Sequence, residues 1–274
     1  MPSRDRRPLA LITGASSGIG AAFAEQLAEK GYDLALVARR RERLDSVADS
    51  LRARHGADSE VLPADLSVAA AVTKLGGWAA DNQVEVLVNC AGVPGYRPFV
   101  ELDPSIADDL LSLHVRTVTM LTRAVLPGMV KRHSGSIINV ASLLSLSGTI
   151  PANPMPYRAV YAGAKSYVLT FTQLLAGELR DSGIRLQALL PGVVATEFHD
   201  ALGMDRSRLE RMAMKPEEVV RASLTALDTG ELVCAPGLDD ATLVENLGKA
   251  QRAVLEAGNR PQLASRYKTA AATG

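Results

Sequence analysis

The apolar positions of this chain fall into short runs separated by stretches of helical spacing. Residues 9–12 form the first run, which ends in Thr13-Gly14-Ala15-Ser16-Ser17-Gly18-Ile19-Gly20, and residues 21–29 then put Phe23 and Leu27 on one helical face. Gly31 closes that helix and residues 34–37 make a second buried run, giving a βαβ unit. The alternation continues with a helix over 41–54, a strand over 60–62, a helix over 68–80 and a strand over 84–88 that ends at Asn89-Cys90-Ala91-Gly92. A long helix over about 104–132 leads to residues 136–140, whose β-branched side chains mark a central strand. A second long helix over about 158–181 and a strand over 184–190 follow. Pro216-Glu217-Glu218 opens a helix to about residue 228, with proline at its first position and acids at the positive end of its dipole. Residues 231–235 supply the last strand, residues 242–257 are weakly helical, and the tail over about 258–274 is expected to fray. Apolar runs alternating with helices predict an α/β fold whose parallel sheet is covered on both faces.

A length of 274 residues suits one large domain over 1–274 with a full core better than two smaller ones. Thirty Lys+Arg balance thirty Asp+Glu, so no overall field draws nucleic acid or an acidic membrane. No run approaches the length of a membrane span, and Met1-Pro2-Ser3-Arg4-Asp5-Arg6-Arg7 leads directly into a strand. Arg6-Arg7 is discounted as an export signal, and a cytoplasmic protein is expected. Cys90 and Cys234 sit in or beside buried strands and read as small hydrophobes, and His55, His114, His133 and His199 show no paired ligand spacing, so no metal is expected.

Gly14, Gly18 and Gly20 form a G-x-x-x-G-x-G loop between strand and helix. Glycines permit a tight turn and close backbone approach, and the helix start offers free N–H groups to a pyrophosphate. Further motifs fall in register behind it: Asp65 after the third strand, Asn89-Cys90-Ala91-Gly92 after the fourth, Ser142 after the fifth, then Tyr161-Ala162-Gly163-Ala164-Lys165 and Pro191-Gly192-Val193-Val194-Ala195-Thr196. In order and approximate spacing, from about residue 9 to 235, they resemble the short-chain dehydrogenase/reductase family. The resemblance implies a Rossmann-type, doubly wound parallel sheet of about seven strands, with hydride transfer between a nicotinamide and a small-molecule carbonyl or alcohol. It makes Tyr161 the general acid for carbonyl reduction, gives Lys165 the nicotinamide ribose, and sets Ser142 on the substrate oxygen. It also implies cofactor contacts along Gly14, Ser16, Ser17, Gly18, Ile19 and Gly20, at Ala91 and Gly92, and along Pro191, Gly192 and Val194. Asp65 would bond the adenine with Leu66 beside it, Asn89 would brace the sheet under the cofactor, and Thr196 would bond the carboxamide. A homodimer or homotetramer on the two long helices is the family expectation.

The residues support these roles. Tyr161 and Lys165 are four apart, so on a helix their Cβ atoms lie roughly 6 Å apart on one face. A phenol with a reference pKa of about 10 exchanges protons poorly at neutral pH, and a neighbouring ammonium together with an oxidised nicotinamide is expected to lower it. Tyr157 has Tyr161 rather than a lysine four residues on, and reads as pocket wall or packing. From Ser142 to Tyr161 is 19 positions, more than the family usually shows, so Ser145 and Ser147 compete with Ser142. The extra residues carry Pro151, Pro154 and Pro156, which favour an extended loop bordering the pocket.

Residues 36–41 end in Arg39-Arg40-Arg41 with no acid, where an NAD-specific relative carries one for the ribose 2′-hydroxyl. NADP (NADPH) is therefore the expected cofactor, with Arg39 as main contact to the 2′-phosphate, Arg40 and Ser16 assisting, and Arg41 in a solvated helix. Substrate identity is not legible. The segments expected to line the pocket, residues 94–99, 143–157 and 197–214, hold Leu143, Leu144, Met155, Tyr157, Phe198, Met204, Met212 and Met214, an apolar and adaptable set. Arg97 and Arg158 read as solvated or as contacts for an anionic carrier. An enzyme and a cofactor-binding sensor both fit the fold; the intact Tyr161–Lys165 pair favours the enzyme.

His114 departs from the family, whose members commonly carry asparagine there to hold a relay water near the lysine. The stripe Ala107, Leu110 or Leu111, His114, Val118, Leu121 and Val125 points it inward. It would hold that water and titrate near pH 6.5, or simply pack.

Overall fold

A computed structural model describes residues 7–152, 155–198 and 213–268. Pro154, His199, Met204, Met212 and the end of the tail lie outside the described residues. The chain divides into two compact units, Met1–Gly237 and Leu238–Gly274.

The first unit alternates β1 (Leu9–Thr13), α1 (Gly18–Glu29), β2 (Asp33–Ala38), α2 (Arg41–His55), β3 (Ser59–Pro63), α3 (Ala69–Asp81) and β4 (Val84–Asn89). It continues with α4 (Pro104–Leu111), α5 (Val118–Arg132), β5 (Gly135–Val140), α6 (Ala159–Glu178), β6 (Ile184–Leu189), α7 (Pro216–Asp228) and β7 (Val233–Cys234). The strands form one parallel sheet in the order β3-β2-β1-β4-β5-β6-β7, the doubly wound arrangement expected. The winding reverses between β1 and β4, so the chain leaves their carboxyl ends in opposite directions and opens a crevice there.

Side chains alternate across each strand, which explains why whole runs had to be apolar. Ala10, Ile12, Leu34, Leu36, Val86, Val88 and Ile138 face one core with α1, α2 and α7. Leu11, Ala35, Val37, Leu87, Ile137 and Leu186 face the other with α3 and α5. Each fully buried leucine in these layers contributes about 1.5–3 kcal/mol.

Three elements differ from the expectation. The last strand is two residues long, because only Ala188↔Val233 and Leu189↔Cys234 pair with β6. The helix over 104–132 is interrupted by a π-helical turn, Ser112–Thr117, between α4 and α5. That wider turn fits an extra residue and turns His114 inward, and it settles the stripe on Leu110, fully buried, with Leu111 at 48% exposure. The second long helix is shorter at both ends than 158–181.

In the second unit, α8 (Thr242–Gly258) buries none of its residues. Among the described residues no helix is long and apolar enough to cross a membrane.

Candidate active site

The glycine loop runs from the end of β1 into α1. Gly14 and Gly18 have φ of +73° and +55°, which a side chain rarely adopts. A Cβ on Gly20 would collide with the Gly14 carbonyl, one on Gly14 would lie 3.0 Å from Ala91 Cα, and one on Gly18 would lie 2.9 Å from Thr196 Cγ2. The loop therefore packs against both other segments expected to line the cofactor. Thr13 fixes one of them: its Oγ1 accepts from the N–H groups of Cys90 (2.9 Å) and Ala91 (3.1 Å) and donates to Val88 O (3.3 Å). Ser17, at the start of α1, makes no side-chain cap, so the helix N–H groups keep no side-chain partner from it. A side-chain-free cradle at an uncapped helix start fits a dinucleotide pyrophosphate.

Arg40 reaches into this cradle. Its Nη2 donates to Ser16 Oγ (3.1 Å) and Ser17 Oγ (3.2 Å), and its Nη1 to Glu197 (3.1 Å). Arg43 donates to both carboxylate oxygens of Glu197, at 2.6 and 2.8 Å. Arg39 is exposed, and its charge helps hold the Asp65 carboxyl below the usual range, after the larger effect of the Ser67 N–H. In this state Arg40, not Arg39, therefore holds the serines of the loop. Leu66 packs its side chain into the core and accepts from Thr117 Oγ1 at 2.9 Å through its carbonyl. Ile19 packs on the opposite core layer.

The catalytic candidates converge at the carboxyl end of β5. Asn89 and Asn139 are register partners on β4 and β5. Asn89 Nδ2 donates to Asn139 Oδ1 (2.8 Å) and Thr122 Oγ1 (3.3 Å), and Asn139 Nδ2 donates to Thr172 Oγ1 (3.0 Å) on α6. This buried ladder ties α6 to the sheet. A second tie comes from Lys165, whose buried Nζ donates to Val140 O at 2.7 Å. Burial pulls its pKa down to about 8. Nζ lies 5.8 Å from the Tyr161 ring centroid, and Ser142, just past β5, stands near enough to the Tyr161 phenol to favour its ionised form.

Tyr161 is only 6% exposed. Tyr96 meets it edge-on at 5.1 Å between ring centroids, His114 at 5.5 Å, and Phe198 tilts against it at 5.9 Å. Burial first, and then Tyr96, push the Tyr161 phenol well above its ordinary value. Aromatic neighbours exclude the water that would solvate a phenolate.

His114 is buried, as the helical stripe required, but it does not titrate near pH 6.5. Burial first, then the Lys165 charge, holds it well below that value and neutral. Nε2 lies 3.2 Å from Val93 O and so carries the proton, which leaves Nδ1 as a buried acceptor with no partner among the described residues. A Cβ on Gly92 would collide with the imidazole Cε1, so Gly92 makes room for the ring.

Ser147 is occupied elsewhere: its Oγ accepts from Arg158 Nε at 2.7 Å, while Ser145 Oγ is buried without a partner among the described residues. Arg158 is neither solvated nor open to a carrier. It is 7% exposed and also donates to Pro156 O (2.9 Å), Ser147 O (3.1 Å) and Ile150 O (2.7 Å), which clamps the inserted loop. Tyr157, expected at the pocket wall, is 57% exposed, and Tyr96 stands against Tyr161 instead. Leu143 is exposed beside Gly192, Met155 is half-buried, and the Leu143 N–H donates to Pro191 O at 3.0 Å. Met214 pairs with the Val194 segment as a short parallel bridge and packs on the core. Burial pushes both free cysteines up to about 12.

Thr13, Tyr96, Arg43 and Glu197 carry no role in the sequence patterns. Thr13 stands in the loop motif and Tyr96 in a lining segment, but nothing in either pattern marks their partners. Arg43 and Glu197 are 154 positions apart and give no signal.

A profile of the short chain dehydrogenase family matches residues 8–207. The chain is 30% identical over 225 residues to a very-long-chain 3-oxoacyl-CoA reductase-B of Danio rerio, covering 80% of this chain and 68% of that protein. Among solved structures it is similar to a short-chain dehydrogenase from Sphingobium yanoikuyae in complex with NADPH, with 35% identity, TM-score 0.88 and coverage of 95% and 100% of the two chains. It is also similar to a bulky-bulky ketone specific alcohol dehydrogenase from Comamonas testosteroni, with 31% identity, TM-score 0.84 and coverage of 96% and 99%. Glycine loop, buried Tyr161–Lys165 pair and Ser142 thus stand on the sheet those proteins share, and the chain belongs to the short chain dehydrogenase family.

Proposed function

We propose that this protein is an NADPH-dependent reductase of a ketone or aldehyde in an apolar small molecule. The observation that carries the reading is the Tyr161 phenol, beside Ser142, one helical turn from Lys165, and kept protonated by burial. A protonated phenol suits reduction, in which a proton must go to the carbonyl oxygen. When bound, the nicotinamide supplies the hydride. Tyr161 donates the proton at its Oη, Ser142 bonds and orients the substrate oxygen, and Lys165 holds the ribose and offers positive charge beside the phenol. His114 presents Nδ1 as a neutral acceptor near the Tyr161–Lys165 pair and stands in for the family's asparagine. Arg39 and Arg40 meet the 2′-phosphate, Asp65 meets the adenine and Thr196 the carboxamide. Two similar proteins, a 3-oxoacyl-CoA reductase and a ketone-specific alcohol dehydrogenase, support the choice of a ketone, and a third, solved in complex with NADPH, supports the cofactor.

An apolar wall supports the substrate class: Tyr96 and Phe198 cover Tyr161, with ring centroids 6.4 Å apart. A homo-oligomeric, cytoplasmic enzyme is part of the proposal. The exposed apolar side chains of α6, Leu174 at 65% and Tyr167, which stacks on the half-buried Phe171, support the oligomer. The test is NADPH consumption with a panel of apolar ketones, diketones and aldehydes. Tyr161→Phe should lower turnover at least about a hundredfold while NADPH affinity stays near wild type. No consumption across the panel despite tight NADPH binding would instead make the protein a cofactor sensor.

A further inference from the structure

Glu197 is an exposed acid in the segment expected to face the substrate, yet its carboxylate is tied to two arginines at the end of β2 and the start of α2. Arg43 binds both of its oxygens, and Arg40 binds one of them while its other nitrogen holds Ser16 and Ser17 of the glycine loop. The two arginines hold the carboxyl below the usual range, Arg43 more than Arg40. On its other side Glu197 walls a cavity of about 680 Å³ with Ser17, Gly18, Thr196 and two further acids, Glu25 and Glu217, a space that Arg40 and Arg43 do not line. An anion is thus already seated on Arg40, one of the two arginines that the proposed function assigns to the 2′-phosphate, and on its neighbour Arg43.

We infer that Glu197 is a built-in competitor of the cofactor's 2′-phosphate, its carboxylate occupying the Arg40–Arg43 anion site until the phosphate displaces it. The inference rests on the NADP reading of the arginines. Both anions cannot share one small basic site, because the phosphate brings nearly two negative charges against the carboxylate's one. The exchange favours phosphate. It offers three acceptor oxygens and bidentate geometry, whereas an exposed carboxylate–arginine pair is weak. A cofactor without the 2′-phosphate has nothing to put in the carboxylate's place, and leaves the Glu197 clasp intact. Glu197 is therefore a specificity-determining residue: it screens the arginines from weaker anions, and its penalty falls only on ligands that carry the 2′-phosphate.

The test is Glu197→Gln, which keeps the shape and removes the charge, titrated with NADPH, NADH, 2′,5′-ADP and 5′-AMP. At low ionic strength the variant should bind NADPH and 2′,5′-ADP about threefold to tenfold more tightly than wild type, the change expected from losing two exposed ion pairs. NADH and 5′-AMP should bind equally to both proteins. The gain should fade at about 0.5 M salt, where screening acts over a few ångströms. Weaker NADPH binding would mean that Glu197 positions the arginines for phosphate, and equal changes for all four ligands would mean an effect on shape; either overturns the inference, as does no change. Glu197→Ala should agree in direction. The NADP reading is judged separately on wild type, and fails if NADH binds as tightly as NADPH.

Discussion

Replacing Lys165 by methionine separates what the lysine does for the reaction from what it does to the fold. In the cofactor-free protein its ammonium is buried and donates to the Val140 carbonyl. Its pKa falls from 10.5 to about 8 through desolvation. Below pH 8 both the folded and the unfolded chains carry the proton, and the folded state bears the full penalty of the buried charge. Between about 8 and 10.5 the folded protein has released a proton that the unfolded chain still holds, so wild-type stability rises with pH relative to a variant that cannot ionise. The full interval corresponds to roughly 3 kcal/mol, and the part between pH 7 and about 9.5 to roughly 2 kcal/mol. Lost packing and the lost bond to Val140 shift the variant by an amount that does not change with pH, so the difference in slope isolates the charge. Urea unfolding of both cofactor-free proteins across this range is the assay. The stability advantage of Lys165→Met should shrink by about 2 kcal/mol from about pH 7 to 9.5, while its turnover is lost throughout. A constant difference would refute the buried-charge argument, and a widening one would reverse its sign.

Two further outcomes follow from the site. For a chemistry-limited substrate, the rate profile should show no inflection near pH 6.5, because His114 stays neutral there, and His114→Asn should leave the profile unchanged between about pH 5.5 and 7.5 with most activity kept; an inflection in wild type that vanishes in the variant would count against this. Arg158→Ala should destabilise the protein by about 2–4 kcal/mol in urea unfolding and expose residues 147–157 to proteolysis, since it strands buried acceptors. A loss under about 0.5 kcal/mol would show that the clamp is dispensable.

The sheet was legible because a parallel strand buried on both faces has no freedom to be polar, so Leu34 through Val37 could hardly read otherwise. The last strand was overread because Leu232, Val233 and Cys234 make a continuous apolar run, whereas β6 offers pairing only to Val233 and Cys234. The π-turn escaped notice because one added residue inside a helix leaves the composition unchanged and only shifts the phase. Tyr161, Lys165 and Ser142 could be found because a local spacing and a strand end carry them. The Glu197 contacts could not, since only the tertiary fold brings distant chain segments to one edge of the crevice. Arg158 misled because arginine is so seldom buried; the inserted loop folds its carbonyls around it and makes burial tolerable.

The fit of His114 against Gly92 also constrains the order in which this chain could drift over generations. The backbone at Gly92 lies outside the left-handed region, so nothing in its own conformation demands glycine. The ring of His114 does, by filling the space a side chain would take. While the imidazole stays, every substitution at 92 is closed, and a lineage must first give up the histidine before that position can vary. In any descendant that keeps the histidine, glycine at 92 is held by the neighbour's shape, whatever the cofactor asks of that position.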